Sequence, residues 1–266
     1  MPPQHAGSLR ASIIANPCTG ARPETVYVGC AGWNIPRESA GAFASEGTHL
    51  QRYARTFNCC EINSSFYRPH KYSTWERWAA SVPENFRFSV KVPRTITHDD
   101  ALKCAPETLA VFLKQIGFLG HKLGPILVQL PPQSHFDEPI ATRFFMLLRA
   151  QHKGDVVLEA RHETWFSTRA DELLKQFKIT GAAADPACVP LASEPSGYEG
   201  FVYFRLHGSP RHYYSAYSGE FLEALAGRLV KFAQQARVWC IFDNTAHGFA
   251  TPNALELSAQ IGLPEH

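Results

Sequence analysis

The chain has 266 residues, 45% of them hydrophobic and 19% charged, which is enough to bury a full core without disulfide staples and too apolar for a disordered chain. Lys and Arg number 26 against 24 Asp and Glu, a formal charge of +2 that offers no bulk electrostatic case for an extended nucleic-acid surface or an anionic membrane. No apolar run reaches the roughly 18 residues that span a bilayer, and seven cysteines, an odd number without a C-x-x-C pair, suit reduced thiols and a cytoplasmic location.

Residues 1–25 read as a flexible leader: the apolar stretch Leu9–Ala15 is short and is broken by Ser12, unlike a secretory signal. Eight short apolar runs follow, at Val26–Gly29, Cys59–Ile62, Phe86–Val92, Ile126–Leu130, Val156–Ala160, Gly181–Ala184, Phe201–Leu206 and Val238–Phe242. Most are β-branched or aromatic, which suits buried strands. Helical periodicity fills the gaps, with one face made by Leu50, Tyr53, Ala54 and Phe57 and a second by Leu109, Phe112, Leu113, Ile116 and Leu119. Two more faces are Ile140, Phe144, Phe145 and Leu148, then Leu222, Leu225, Leu229 and Phe232. Pro106 and Pro252 each read as a helix start.

Strand and helix alternate to eight strands over Val26–Gly262, 237 residues, against the roughly 250 of a (β/α)8 barrel. The predicted fold is therefore α/β, a single TIM-type barrel over residues 26–266. The Pro-, Ser- and Gly-rich gap Asp185–Gly200 predicts a loop in place of the helix between strands six and seven. A doubly wound sheet is disfavoured, because no glycine-rich phosphate fingerprint follows the first strand.

The strand ends carry a resemblance. Val28-Gly29-Cys30-Ala31-Gly32-Trp33 resembles the motif GTSGW with Cys-Ala for Thr-Ser, and Glu61-Ile62-Asn63-Ser64-Ser65-Phe66-Tyr67 resembles EINSSFY. Phe86-Arg87-Phe88-Ser89-Val90-Lys91, Ile96-Thr97-His98, Lys122-Leu123-Gly124-Pro125 and Gln129-Leu130-Pro131-Pro132 follow in order. Glu159-Ala160-Arg161-His162, Trp165-Phe166, Arg205-Leu206-His207-Gly208 and Phe242-Asp243-Asn244-Thr245 complete the set. These motifs resemble the YecE-like family, domain of unknown function 72. The resemblance implies a TIM-type barrel and implies no activity.

Side chains alternate along a strand, so parity separates lumen-facing from helix-facing positions. It places Glu61 and Asn63, Ser89 and Lys91, Gln129, Glu159 and Arg161, Asp185, and Arg205 and His207 inward, and leaves the last strand open between Asp243 and Asn244. The C-terminal ends of these strands are the face on which barrel enzymes build active sites. Burying so many charges is costly unless a ligand needs them. Glu61 and Glu159 suit general acid–base work, His207 a proton shuttle, and Lys91 the stabilisation of negative charge. Arg161 and Arg205 suit a phosphate or carboxylate, and Trp33 and Trp165 are expected pocket walls for a sugar face or a base.

The favoured reading is an enzyme acting on a small polar or anionic ligand, a sugar, phosphate or nucleotide derivative, with hydrolysis and isomerisation equally compatible. The alternative is a non-catalytic binding module for a nucleotide, a nucleic-acid end or a metabolite. A blander third reading is a lumen filled by a closed ionic core. No motif names a cofactor. A divalent metal is the less favoured ligand, because Lys91, Arg161 and Arg205 would oppose it.

Overall fold

A computed structural model describes residues 25–263 of the chain. The expected leader, apart from Thr25, lies outside the described residues. The strands are β1 (Val26–Ala31), β2 (Cys59–Ile62), β3 (Arg87–Lys91), β4 (Leu123–Gln129), β5 (Val156–Glu159), β6 (Thr180–Gly181), β7 (Ala183–Asp185), β8 (Ser196–Gly197), β9 (Phe201–Leu206) and β10 (Arg237–Phe242). The helices are α1 (His49–Thr56), α2 (Ser64–Tyr67), α3 (Tyr72–Ala80), α4 (Pro106–Ile116), α5 (Glu138–Gln151), α6 (Thr168–Gln176), α7 (Gly219–Ala233) and α8 (Ala250–Ile261).

Neighbouring strands pair in parallel from β1 through β5 and on to β6, while β7 pairs with β9, β9 with β10, and β10 with β1. Because β6 and β7 are separated only by Ala182, they form one broken sixth stave, and the ring closes with eight staves. The exception to parallel pairing is β8, which lies antiparallel on β6. The segment between β7 and β9 holds a 3-10 turn at Pro190–Ser193 and β8, and no α-helix, as its composition predicts.

Local chemistry explains the ring's tightest joint. A Cβ on Gly29 would sit 2.1 Å from the Cys59 carbonyl oxygen, so only glycine lets β1 and β2 approach this closely. The Tyr53 hydroxyl of α1 accepts from the Cys30 amide at 2.7 Å and donates to the Cys59 carbonyl at 3.1 Å, which bolts the helix layer to both strands. The α1 N-terminus is fixed by a reciprocal cap between Thr48 and Gln51. Pro106 does open α4, but the helix ends at Ile116, and Leu119 is buried from a separate 3-10 turn. The last helix starts at Ala250, two residues ahead of Pro252.

Two apolar masses result. One fills the space between the ring and the helices. The other plugs the lower lumen with Cys59, Leu127, Val157, Phe201, Trp239 and Ile241, where Trp239 stacks on Tyr27 at 4.7 Å and on Tyr203 at 6.2 Å. Each of the large side chains contributes about 1.5–3 kcal/mol by leaving water. The plug closes the N-terminal end and leaves the C-terminal end for polar groups. Among the described residues no helix is long and apolar enough to cross a membrane.

Candidate functional site

One strand repeat above the plug, the lumen becomes charged. Glu61 follows Cys59, Glu159 follows Val157 and Arg205 follows Tyr203, each two residues along its strand, and Asp243 follows Ile241 just past the end of β10. Arg205 is the hub. Its Nη2 and Nε reach Glu61 Oε1 at 2.6 and 3.2 Å, its Nη1 reaches Glu159 Oε2 at 2.9 Å, and Nη2 also lies 3.0 Å from Asp243 Oδ2. The Tyr203 hydroxyl donates to Glu61 Oε2 at 2.7 Å and lies 3.0 Å from Ser89 Oγ. Glu61 is 0% exposed and Arg205 1%.

His207 completes the network. Its Nδ1 lies 3.1 Å from Asp243 Oδ2 and its Nε2 3.1 Å from Glu159 Oε1. Arg161 Nη2 also lies 3.4 Å from Nε2, but the nearer Glu159 and Asp243 carboxylates on the two ring nitrogens favour two N–H donors, as the imidazolium has. Burial opposes that charge, but Glu159 and Asp243 outweigh it and raise the pKa of His207. The carboxylates respond in kind. Burial works against ionising Glu159, yet Arg205, His207 and Arg161 hold it well below the usual carboxylate range. Asp243 is lowered as well, with burial overcome first by Arg205 and then by His207. The loop above is turned by Gly208 at φ +90°, where a Cβ would meet the Ser215 carbonyl at 2.7 Å. That turn sends the chain back so that the Tyr213 amide bonds the His207 carbonyl.

An open cavity of about 420 Å³ sits on this network, lined by Glu159, Arg161, Ala184, Cys188, His207 and Tyr213 among others. Arg161 donates from Nε to Glu159 Oε1 at 2.8 Å and keeps 22% of its side chain exposed. Lys91 is half-buried at the end of β3, with its ammonium 4.1 Å above the Phe66 ring. Ser65 donates to the Lys91 carbonyl at 2.7 Å, but among the described residues no hydrogen bond or ion pair engages the Lys91 ammonium. Burial and then Arg205 lower its pKa to about 8, against the opposing pull of Glu159, Glu61 and Asp243. Once His207 is protonated, three carboxylates face four cations, so the mouth carries one positive charge in excess.

The structure therefore gathers Glu61, Lys91, Glu159, Arg161, Arg205, His207 and Asp243 at one end of the barrel and separates them by depth. Glu61 and Arg205, expected to meet a ligand, are enclosed, with their polar atoms taken up by one another and by neighbours. Gln129 is also enclosed and donates to the Leu130 carbonyl at 2.5 Å. Asp185 does not line the cavity: its carboxylate accepts from the Tyr217 hydroxyl at 2.8 Å on the helix side. The break at Ala182 sets the phase of the sixth stave, and the lumen position falls on Ala184.

Asn244 is the helix-side partner in the last strand. Its Nδ2 donates to the Ser215 carbonyl at 2.9 Å and to Asn253 Oδ1 at 3.0 Å, leaving Asp243 as the inward residue. Trp165 is a packing residue, 5% exposed, edge-on to Phe136 and donating to the Ser134 carbonyl. Trp33 packs edge-on against Trp78 and lines, with Asn63, a separate groove beside β1 and β2. Parity missed Tyr203, which was hidden in an apolar run. It also passed over the loop residues His98, Cys188 and His212, which no alternation can place. His98 rides on a π-turn at Thr95–Asp99 and packs edge-on to Phe66 at 4.9 Å.

Among the described residues no three His, Cys, Asp or Glu side chains gather as a metal ligand set. A closed eight-stave ring with its ionisable groups collected at the C-terminal mouth defines a TIM-type barrel protein. The chain belongs to the family described as "Protein of unknown function DUF72", which it matches over residues 27–266. It is similar to the UPF0759 protein YecE of Escherichia coli, with 30% identity over 148 residues covering 55% of this chain and 52% of that relative, so about half of the relative's length is matched. It is also similar to the UPF0759 protein YunF of Bacillus subtilis, with 23% identity over 87% of this chain and 93% of that one. Among solved structures, a DUF72 family protein of Enterococcus faecalis superposes with a TM-score of 0.78 at 21% identity, covering 91% of this chain and 97% of that one. A second, from Thermotoga maritima, gives 0.74 at 23% identity over 90% and 99%. These structural likenesses concern the fold.

Proposed function

We propose that the barrel mouth binds a small anionic ligand, a phosphate- or carboxylate-bearing sugar or nucleotide derivative, and transforms it by acid–base chemistry. The observation that carries this reading is the one-charge cationic surplus at the mouth, with Arg161, 22% exposed, lining the cavity and the partly buried, unpaired Lys91 beside the same carboxylates. An arginine whose fork is only partly engaged recognises phosphate or carboxylate oxygens in a plane. His207 is held as a proton-bearing imidazolium beside Glu159 at the cavity floor, and this pair is the source of the transferred proton. Glu61, Arg205 and Asp243 act as positioning residues beneath it. Buried, unlinked cysteines favour the cytoplasm as the working compartment.

The alternative, a binding module without turnover, is favoured by one observation: the Glu159 carboxylate is already held by three cations. A panel of sugar phosphates, nucleotides and hydroxy acids, screened by ligand-observed NMR, separates the two. The expected result is selective binding of phosphate- or carboxylate-bearing members, lost in Arg161→Met, with conversion of at least one on standing with the wild type. Binding without conversion of any member would favour the module, and no preference for anions would overturn the reading.

A further inference from the structure

Of the seven charged groups gathered at the mouth, Glu61, Lys91, Glu159, Arg161, Arg205, His207 and Asp243, Lys91 alone has no ion pair among the described residues. The three carboxylates near it are occupied by Arg205, Arg161 and His207. Its ammonium rests instead on the face of Phe66. Lys122 is the counterexample within the same chain, a buried lysine tied to the Pro83 carbonyl at 2.6 Å and to Glu84 at 3.1 Å. A lysine that is desolvated, unpaired and set beside other cations is the environment that turns this side chain from a point charge into a nucleophile.

We propose that Lys91 captures the carbonyl carbon of a small anionic aldehyde or ketone as a Schiff base at the barrel mouth. This rests on the reading of the mouth as an anion site, and it narrows the substrate to a carbonyl compound bearing a carboxylate or phosphate. Arg161 holds the anionic group, and the Lys91 amine attacks the carbonyl. The amine lone pair forms the C–N bond, and the carbonyl oxygen leaves as water with both amine hydrogens, so no oxidant or reductant is consumed. His98 shares the Phe66 ring with Lys91, and its imidazole is kept below its usual pKa first by burial and then by Lys91 itself. A neutral imidazole there accepts the proton that the ammonium must lose before attack. Burial and Arg205 bring the Lys91 ammonium to about 8, which gives a usable share of free amine near neutrality.

The test uses glyoxylate, a small anionic aldehyde, with cyanoborohydride as trapping reductant at pH 7, followed by peptide mass spectrometry. The chain has nine lysines, so the other eight serve as internal standards. Lys91 is expected to gain the carboxymethyl group roughly ten-fold faster than any of them, with inorganic phosphate slowing it and Lys122 unlabelled. In Lys91→Arg the mouth keeps its charge and its phosphate binding by calorimetry while the preferred adduct vanishes. Labelling spread over surface lysines with Lys91 lagging, while phosphate still binds the wild type, would overturn the Schiff base and leave the anion site standing. Fast labelling of Lys91 that phosphate and Arg161→Met leave unchanged would uphold the reactive amine and overturn the anionic substrate class.

Discussion

The floor and the rim of the barrel mouth are built from the same residue types and do opposite things. At the floor, Glu61, Arg205 and Tyr203 are sealed from solvent and consume one another's hydrogen-bonding capacity. At the rim, Arg161 is partly open and Lys91 is unpaired. Depth, and not residue type, decides which charges hold the barrel and which are free to meet a ligand. A buried pair gives little net stability against an apolar replacement, yet removing one partner is severe, because the other is left charged and dry.

That contrast orders the mutations. Arg205→Met strips Glu61, Glu159 and Asp243 of their shared cation, and a loss of about 5 kcal/mol or failure to fold is expected in chemical denaturation. Glu61→Gln leaves Arg205 still held by Glu159 and Asp243, and about 3–5 kcal/mol is expected. Glu159→Gln is expected to cost about 2–3 kcal/mol, less than Glu61→Gln because Arg161 can turn to water. If Glu159→Gln proves neutral or stabilising, Glu159 belongs with the rim and the boundary drawn between the two regions is misplaced. Lys91→Met removes a partly desolvated, unpaired cation, and a gain of about 2 kcal/mol at pH 7 is expected.

The pH dependence sharpens the same division. His207 has a raised folded pKa, so its contribution is complete below the unfolded value of about 6.5 and is lost as pH rises through the folded one. Lys91 runs the other way. Its folded value of about 8 lies below the unfolded value, so stability rises with pH from about 8 towards 10.5. Glu159 and Asp243 lie below their ordinary values, so their stabilisation is present above about 4.5 and is lost as acid carries pH through their folded values. Above about pH 8.5 the buried thiols of Cys30, Cys59, Cys60 and Cys240, all raised by burial, lower stability as their unfolded counterparts ionise, so the two contributions are read as differences between proteins. In denaturation from about pH 5 to 10, His207→Gln is expected to lack the shallow fall above about pH 6.5, and the stability advantage of Lys91→Met over wild type is expected to shrink as pH rises above about 8.

The ring and its mouth were legible from the chain because a polar residue alternating with helix-facing apolar ones is a strong signal. Glu61, Glu159 and Arg205 all carry it. Parity had nothing to work with at Gly181–Ala184, where every side chain is small, and so Asp185 was assigned to the wrong face. Trp33 and Trp165 show a second limit. Their position just after a strand is compatible with a pocket wall or with packing on the next helix, and the choice depends on partners such as Trp78 and Phe136 that lie far away in sequence. Alternation also reports direction and not depth. It could place Arg205 and Arg161 inward, but not show that one is sealed while the other is open.

Arg161 is where structure and function part most cleanly, and thermal unfolding of wild type and Arg161→Met, each with and without inorganic phosphate, tests that directly. Without phosphate Arg161→Met should lose no more than about 1.5–3 kcal/mol, the range of one hydrogen bond to a charged group, because the sealed Glu159 keeps Arg205 and His207 as partners. With phosphate the wild type should rise in Tm and Arg161→Met should not. An equal rise in both proteins, or a large loss of stability in Arg161→Met before any phosphate is added, would contradict the division of the mouth into a structural floor and an anion-binding rim.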